Sequence, residues 1–284
     1  AVLPKLQEWK GGNGTVKITA SSRIVVTHSA FMPKAEIISE YIADILGTPI
    51  EIVTDESVAG DIVIGYTDSE ELGKEGYTVE LSDRVTILAY NDIGALYGGT
   101  TVSQMLSLYE GFELPKGYIR DYSAYEVRSS MLDVSGQWLP MKDLLDLSKY
   151  FAYFKVNQIH IHVNENAGQQ NYAFRIESKK YPAINSTLGD RIYTQEEYRA
   201  YQTEMLKYGV KIITEIDSPA HCGFVGLYDS SLVLSSSKGK MDLTNDYDGC
   251  VEFMKGLLDE FVNGYDGNPP VIIDEIDAIH LGMD

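Results

Sequence analysis

The feature that most constrains the fold is an alternation of strand and helix segments after residue 127. The pattern predicts strands at Val127–Val134, Gln158–Val163, Val210–Ile216 and Ala278–Gly282. Between them it predicts helices that begin at Pro140, at the Thr194-Gln-Glu-Glu197 capping box and at Tyr247, the second ending near Gly209 and the third near Val262. Strands that alternate with helices indicate a parallel sheet, either open or closed into a barrel.

The first part of the chain, residues 1–118, shows a different pattern that predicts a small α/β domain. Predicted helices run over Pro33–Leu46, with Gly47 as a stop, and from Asp92 to about Leu106. Short segments rich in β-branched residues predict strands at Val16–Ala20, Arg23–Thr27, Ile50–Val53, Asp61–Gly65, Tyr77–Leu81 and Val85–Tyr90. We therefore predict two domains, at residues 1–118 and 119–284.

The charge of the chain limits its partners. A formal net charge of −19 over 284 residues disfavours nucleic acid and anionic membranes, which bind basic patches. No apolar run is long enough to predict a membrane span. The 20 tyrosines suit sugar binding because each combines a flat apolar face with a polar tip, although tyrosine is common in any core. Cys222 and Cys250 are too few for a disulfide framework, and whether they pair is left open.

Polar side chains follow each predicted strand of the second domain. In a (β/α)8 barrel the chemistry lies at the carboxyl ends of the strands. Like charges brought together cost free energy, so a shared acidic rim favours a functional role over a structural one. Asp217 and His221 lie four residues apart across a proline turn, where a carboxylate can orient an imidazole. The residues of the predicted rim are Asp133, Asn164, Glu165, Asp217, His221 and Asp284.

Two other segments suggest different chemistry. His160 and His162 point to the same face of a strand and can bind one metal, which makes a metal-dependent, amidohydrolase-like barrel an alternative. Packing and hydrogen bonding within the sheet explain this pair better. The acidic segment Val271–Asp277 resembles the metal-binding strand of an ATPase, but the sequence has no phosphate-binding glycine loop with Lys-Ser or Lys-Thr. The nucleotide-binding interpretation is therefore rejected.

Five ordered motifs together resemble glycoside hydrolase family 20, the β-N-acetylhexosaminidases. The residues from Gly94 to Gly98, and the helix after them, also resemble the small domain that precedes the barrel in this family. The five motifs are Arg128-Ser-Ser-Met-Leu-Asp133, Ile159-His-Ile-His-Val-Asn-Glu165-Asn166, Phe174-Arg-Ile-Glu-Ser with Tyr181-Pro, Glu215-Ile-Asp-Ser-Pro-Ala-His221 and His280-Leu-Gly-Met-Asp284.

The resemblance implies a fold, a substrate and a set of residue roles. The fold would be a small α/β domain followed by the first half of a (β/α)8 barrel, and the substrate a glycan with a terminal β-linked N-acetylhexosamine. No metal or other cofactor is implied. In substrate-assisted hydrolysis the 2-acetamido oxygen of the sugar attacks the anomeric carbon. Asp284 would orient that acetamide, Arg128 would bind sugar hydroxyls, Asp217 and His221 would tune the general acid, and Glu165 would support them.

Several residues depart from the family pattern. Asn166 replaces an Asp, while Ser129 and Met283 replace glycines; Tyr172 or Phe174 would be the aromatic residue expected after the acidic pair. These changes affect the leaving-group side of the site. A disaccharide-releasing enzyme of the lacto-N-biosidase type and a non-catalytic glycan-binding module therefore remain alternatives.

The position of the last motif adds further expectations. The family places its general acid, a Glu, directly after the residue that matches Asp284, so we expect a chain truncated within its barrel and nearly inactive. An open barrel edge would expose apolar surface, so we also expect self-association. The polymeric substrates of the family imply an extracellular or cell-surface location.

Overall fold

A computed structural model describes residues 1–166 and 173–283. The chain divides into two compact units, the first formed by residues 1–126 with 153–155 and the second by residues 127–152 with 156–284. None of the described helices is long and apolar enough to cross a membrane. Cys222 and Cys250 are both buried and unpaired.

The first unit is a mixed sheet with two helices. Its seven strands lie in the order β1-β7-β5-β6-β4-β2-β3, in which β2, β3, β4 and β6 are parallel and the others antiparallel. The elements are β1 (Glu8–Lys17), β2 (Arg23–Val26), α1 (Met32–Leu46), β3 (Glu51–Val53), β4 (Ile62–Tyr66), β5 (Tyr77–Leu81), β6 (Val85–Ala89), α2 (Asp92–Leu108) and β7 (Glu113–Asp121).

Helices α1 and α2 pack against each other at a glycine. A Cβ atom on Gly99 of α2 would lie 2.3 Å from the side chain of Ile38, which is fully buried on α1. Helix α1 ends as predicted at Gly47, whose φ of 72° is left-handed, a conformation that glycine adopts without strain. Small residues on α2 therefore allow the two helices to approach closely.

Strand β7 differs from the prediction. Residues 111–127 show few periodic features, which predicts a connection rather than a strand, and Pro115 and Gly117 are residues that central strands usually lack. In the structure β7 pairs with β1 on one side and β5 on the other, so tertiary pairing overrides the local signal. The predicted boundary between residues 118 and 119 falls inside β7, and the division observed in the structure follows residue 126.

The second unit is built on a parallel sheet whose four strands lie in the order β15-β12-β9-β8. Helices α3, α4 and α6 connect successive strands, as expected for the first half of a barrel. The elements are β8 (Ser129–Asp133), α3 (Met141–Tyr153), β9 (Gln158–His162), β10 (Asn164–Glu165), β11 (Ala173–Phe174), α4 (Gln195–Lys207), β12 (Lys211–Ser218), α5 (Val225–Tyr228), β13 (Val233–Leu234), β14 (Ser237–Met241), α6 (Tyr247–Asn263) and β15 (His280–Gly282).

The central strands carry the core of this unit. Ile159 and Ile161 of β9 and Ile212 and Ile216 of β12 are fully buried. The predicted capping box at the start of α4 is present, with Thr194 accepting the backbone N–H three residues later. Two small antiparallel pairs, β10 with β11 and β13 with β14, were not predicted and follow the carboxyl ends of β9 and β12. They form the surroundings of the site.

Candidate active site

The structure brings three of the predicted site residues together at the carboxyl end of the parallel sheet. Glu165 lies on β10, Asp217 near the end of β12, and His221 in the segment after it. The imidazole Nδ1 of His221 hydrogen-bonds to Glu165 Oε1. Asp217 Oδ2 lies 3.9 Å from His221 Nε2, beyond hydrogen-bonding distance. Glu165, which we predicted as a supporting residue, is thus the carboxylate that hydrogen-bonds to the imidazole.

Two other predicted residues make different contacts, Asp133 at the carboxyl end of β8 and Arg128 just before its amino end. Asp133 closes its own turn, since its Oδ1 accepts the N–H groups of Ser135 at 2.9 Å and Gly136 at 2.8 Å. Arg128 comes just before β8, at the amino end of the sheet, where its N–H donates to Asn157 Oδ1 at 2.9 Å. A strand of this length separates its backbone from the carboxyl end by roughly 16 Å. The role of Arg128 in sugar binding stays a prediction.

Asn164 ties the end of β9 to the segment that carries His221. Its Nδ2 donates to the carbonyl oxygens of Asp217 and His221, both at 3.0 Å, and its Oδ1 accepts the Asp217 N–H at 2.9 Å. The residue is completely buried. An amide can make all three bonds because it both donates and accepts, which fixes the ends of β9 and β12 relative to each other.

Asp217 instead holds the segment that leads to Asp284. Its Oδ1 accepts the Met283 N–H at 3.1 Å, and the residue is 1% exposed. A Cβ atom on Gly282 would lie 1.7 Å from the same oxygen, so the contact requires glycine there. Met283, which replaces a glycine of the family pattern, has a φ of 88°, in the region that glycine favours. Asp284 itself lies outside the described residues.

The predicted aromatic residue is not a sugar platform in the described part of the chain. Phe174 is fully buried and packs on Phe224 and Phe261, with ring centroids 4.8 and 5.7 Å apart. It belongs to the core, so its ring is not available as the aromatic residue expected after the acidic pair. The other candidate, Tyr172, lies outside the described residues.

A second group, centred on Glu215, lies next to the first and was missed as a functional cluster. His162 Nδ1 is 2.7 Å from Glu215 Oε2, and His280 Nδ1 is 3.1 Å from Oε1. His160 Nε2 lies 2.9 Å from Oε2, but this buried nitrogen makes no hydrogen bond of acceptable geometry. Strand register explains the cluster, since Glu215 pairs with His162 on one side and His280 on the other.

Burial and charge shift the pKa of two members of this cluster, His160 and Glu215. Burial lowers the pKa of His160, and the attraction of Glu215 only partly opposes this. Burial raises the pKa of Glu215, but the hydrogen bond with His162 and the neighbouring imidazoles outweigh it, so its pKa lies below the usual value. Glu215 is therefore a buried carboxylate stabilised in its charged form by imidazoles.

The same residues include possible metal ligands. Among the described residues, possible donor atoms lie within 4.8 Å of one another in the groups His160, Glu215 and His280, and His162, Glu215 and Asp217. However, His280 Nδ1 lies 3.1 Å from both Glu215 Oε1 and the Gly282 nitrogen, and Asp217 Oδ1 accepts the Met283 N–H. Nδ1 either donates to the carboxylate or accepts the Gly282 N–H, and in both cases it has no lone pair left for a metal. The donors fit a hydrogen-bonded cluster better than a metal centre.

The sequence matches known proteins along almost its whole length. Residues 1–122 match the model of glycosyl hydrolase family 20, domain 2, and residues 125–282 match that of the glycosyl hydrolase family 20 catalytic domain. A beta-hexosaminidase of Porphyromonas gingivalis is 27% identical over 78% of this chain and 30% of its own length. A lacto-N-biosidase of Bifidobacterium bifidum is 24% identical over 92% of this chain and 23% of its own length.

Solved structures share the fold. The GH20 beta-N-acetylhexosaminidase from Streptomyces coelicolor A3(2) superposes with a TM-score of 0.78 at 21% identity, over 94% of this chain and 58% of that one. The GH20 exo beta-N-acetylglucosaminidase from Vibrio harveyi superposes with a TM-score of 0.78 at 19% identity, over 93% of this chain and 45% of that one. The chain thus spans less than a third of the two relatives and about half of these structures. Its matches to both family models establish that the chain belongs to glycoside hydrolase family 20.

Proposed function

We propose that the protein carrying this chain is a glycosidase that removes terminal β-linked N-acetylhexosamine from glycans. The observation that carries the proposal is the hydrogen-bonded pair of Glu165 and His221 at the carboxyl end of a parallel sheet, within a family 20 catalytic domain. Binding a glycan needs no imidazole oriented by a carboxylate, whereas acid–base catalysis does. The pair therefore favours an enzyme over a non-catalytic glycan-binding module.

The proposed reaction is substrate-assisted. The 2-acetamido oxygen of the sugar attacks the anomeric carbon, the bond to the leaving oxygen breaks, and that oxygen takes a proton from a general acid. Water then attacks the anomeric carbon and gives a proton back to the deprotonated acid, and the bond to the acetamide oxygen breaks, which releases the free sugar with retained configuration. In this scheme Asp284 orients the acetamide and stabilises the positive charge that develops on it.

The residues at the carboxyl end of the sheet would support both the proton transfer from the acid and the attack by the acetamide. A carboxylate only accepts hydrogen bonds, so Glu165 holds the proton of His221 on Nδ1, and the other ring nitrogen, Nε2, would interact with the acid. Asp217 would help to place Asp284, because its bond to the Met283 N–H fixes the turn that precedes that residue. Arg128 remains a candidate for binding sugar hydroxyls.

Hydrolysis of an aryl β-N-acetylglucosaminide by the natural full-length protein tests this proposal. We expect release of the aryl alcohol, and a loss of at least about 10²-fold in kcat/KM in Asp284→Asn. Asp190→Asn, a change of the same type at an exposed position, serves as the control. Sugar binding without turnover would replace the proposal with the glycan-binding module.

A disaccharide-releasing activity is the second candidate. The lacto-N-biosidase from Bifidobacterium bifidum matches 92% of this chain, a larger share than the 78% matched by the beta-hexosaminidase from Porphyromonas gingivalis. Aryl glycosides of lacto-N-biose and of N-acetylglucosamine, assayed side by side, separate the two. A higher kcat/KM on the disaccharide would favour this candidate. Either activity acts on polymeric glycans, and we propose an extracellular or cell-surface location on that ground.

A further inference from the structure

The residue after Glu165 joins three separate parts of the site. The side-chain amide of Asn166 accepts the Gly223 N–H on Oδ1 at 2.9 Å and donates from Nδ2 to the Gly239 carbonyl at 3.0 Å. Its own backbone N–H donates to Glu165 Oε1 at 2.6 Å, the oxygen that also receives His221. Asn166 thus links Glu165, the segment after His221 and strand β14.

The side chain of Asn166 lies close against the backbone of Gly239. A Cβ atom on Gly239 would lie 2.4 Å from the Asn166 Nδ2, so the amide reaches the strand only because this residue is glycine. The Gly239 carbonyl also accepts the Cys222 N–H at 2.9 Å, and the Met241 N–H donates to the Pro219 carbonyl at 2.9 Å. Strand β14 therefore lies along the segment that carries His221, and Asn166 hydrogen-bonds to both of them.

His221 needs such support because its backbone is strained. Its φ of 52° lies in the left-handed region, which non-glycine residues adopt only when their surroundings fix them there. Hydrogen bonds hold His221 itself and the segment after it, through Asn164 to the His221 carbonyl and through Asn166 to the Gly223 N–H. The two asparagines therefore fix the backbone from which the imidazole reaches Glu165.

We infer that Asn166 is a positioning residue, whose amide couples the hairpin of β13 and β14 to the orientation of His221. An amide is required because Gly239 presents an oxygen, and a carboxylate at residue 166 would face it without a proton to donate. The family motif that this segment resembles has Asp at this position, so the coupling is a property of this chain. As a contribution to catalysis the inference rests on the proposed function, but the coupling itself can be measured without turnover.

Amide exchange and imidazole NMR spectra of the 284-residue chain test the coupling directly. In Asn166→Asp we expect the Cys222 amide to exchange about tenfold faster, the factor for loss of one ordinary hydrogen bond, and the Nδ1–H signal of His221 to shift or disappear. Gly239→Ala, which leaves Asn166 in place and displaces only the end of its side chain, should change both signals in the same direction. This second variant keeps the test valid if the first does not fold.

Asn185→Asp is the matched control. Its amide also bonds to backbone on both sides, donating to the carbonyls of Phe174 at 2.9 Å and Ile176 at 3.0 Å and accepting the Ser178 N–H. We expect it to reduce stability while leaving the Cys222 exchange rate and the His221 signal unchanged. The inference would be overturned if Asn166→Asp left the Cys222 exchange rate and the His221 signal as in the unmodified chain. It would also be overturned if Asn185→Asp changed them in the same way.

The natural full-length protein provides the kinetic readout. Asn166→Asp should lower kcat by about tenfold with a smaller change in KM, because the substituted residue orients the imidazole rather than holding the sugar. An unchanged kcat beside altered NMR signals would contradict the catalytic part of the inference. A protein without hydrolytic activity would refute the proposed function instead, and the NMR result would still decide the coupling.

Discussion

His221 hydrogen-bonds through Nδ1 to Glu165 Oε1, although the two residues follow different strands of the parallel sheet. The same imidazole has Asp217 Oδ2 at 3.9 Å from its other nitrogen. The Glu165 carboxylate therefore selects the tautomer and the orientation of the His221 ring, as carboxylates do for many catalytic histidines. Three elements, β9, β10 and β12, must be correctly placed for this pair to form.

Removing the charge of Glu165 should reduce activity strongly. Glu165→Gln keeps the size of the side chain, but its amide can no longer stabilise a protonated His221. We expect kcat/KM on an aryl β-N-acetylglucosaminide to fall by about 10²-fold in the natural full-length protein, at the lower end of general acid–base contributions. Glu196→Gln, at an exposed position on α4, is the control. Equal losses in the two variants would refute a specific role for Glu165.

The second unit should lose stability as the pH falls. The pKa of His160 is lowered in the folded state, so the unfolded chain binds a proton first, and stability decreases from about pH 6.5 downward. The pKa of Glu215 is also lowered, so its stabilisation is present above the unfolded value of about 4.5 and is lost as the pH falls through the folded value. Both shifts act in the same direction.

Urea denaturation at a series of pH values measures this effect. Trp138 lies in the second unit and Trp9 in the first, so Trp9→Phe leaves a fluorescence signal from the second unit alone. His160→Gln should flatten the pH dependence below about 6.5, while His28→Gln, in the first unit, should leave it unchanged. A stability that is constant from pH 7 to 5 would contradict the shift assigned to His160.

Lys155 should be essential to the first unit. Its ammonium is buried, 3.1 Å from Asp121 Oδ2, 2.7 Å from the Tyr77 hydroxyl and 2.9 Å from Thr101 Oγ1. Burial and the charge of Asp121 raise the pKa of Tyr77, so its hydroxyl stays protonated. Lys155→Met leaves Asp121 charged and buried, and should cost about 3–5 kcal/mol in the free energy of unfolding.

The double variant Lys155→Met with Asp121→Asn isolates the cause of that loss. It removes both charges, so it should be more stable than Lys155→Met alone, as measured by denaturation of the first unit. A double variant that is less stable than the single one would show that packing, and not the unpaired carboxylate, dominates.

The 284-residue chain should self-associate. Within the described residues, β8 and β15 are the edge strands of a parallel sheet, and they expose Met131 at 54% and Leu281 at 39%. Parallel sheets are normally covered, and exposed edges pair with other chains. Light scattering should show a mass that rises with concentration, and Met131→Lys should reduce it, whereas Tyr150→Lys on α3 should not. A monomer at all concentrations would contradict this expectation.

The sequence was sufficient to predict most elements of the fold because their signals are local. Gly47 ends α1, the Thr194 capping box begins α4, and alternating strands and helices predicted the parallel sheet. Strand β7 was missed because its proline and glycine hide a strand that only its neighbours stabilise. The hairpin of β13 and β14 was missed because β13 has only two residues and the mostly polar β14 has no strand period.

The sequence predicted which residues belong to the candidate site, but not which carboxylate hydrogen-bonds to His221. The motifs placed Glu165, Asp217 and His221 at one rim, and the structure brings them together. Spacing along the chain favoured Asp217 as the partner of His221, whereas the partner is Glu165, which is distant in sequence and close in space. The cluster around Glu215 follows from strand register, and register cannot be derived from one sequence.

The proposed nucleophile is the acetamide of the substrate, in a site organised by Glu165 and His221. Aryl glycosides carrying acetyl, fluoroacetyl and trifluoroacetyl groups on the 2-amino nitrogen test it most directly in the natural full-length protein. Fluorine withdraws electrons from the attacking oxygen, so kcat/KM should fall stepwise, by more than about tenfold across the series. Equal kcat/KM for all three substrates would contradict the claim, because an enzyme nucleophile would not depend on that oxygen.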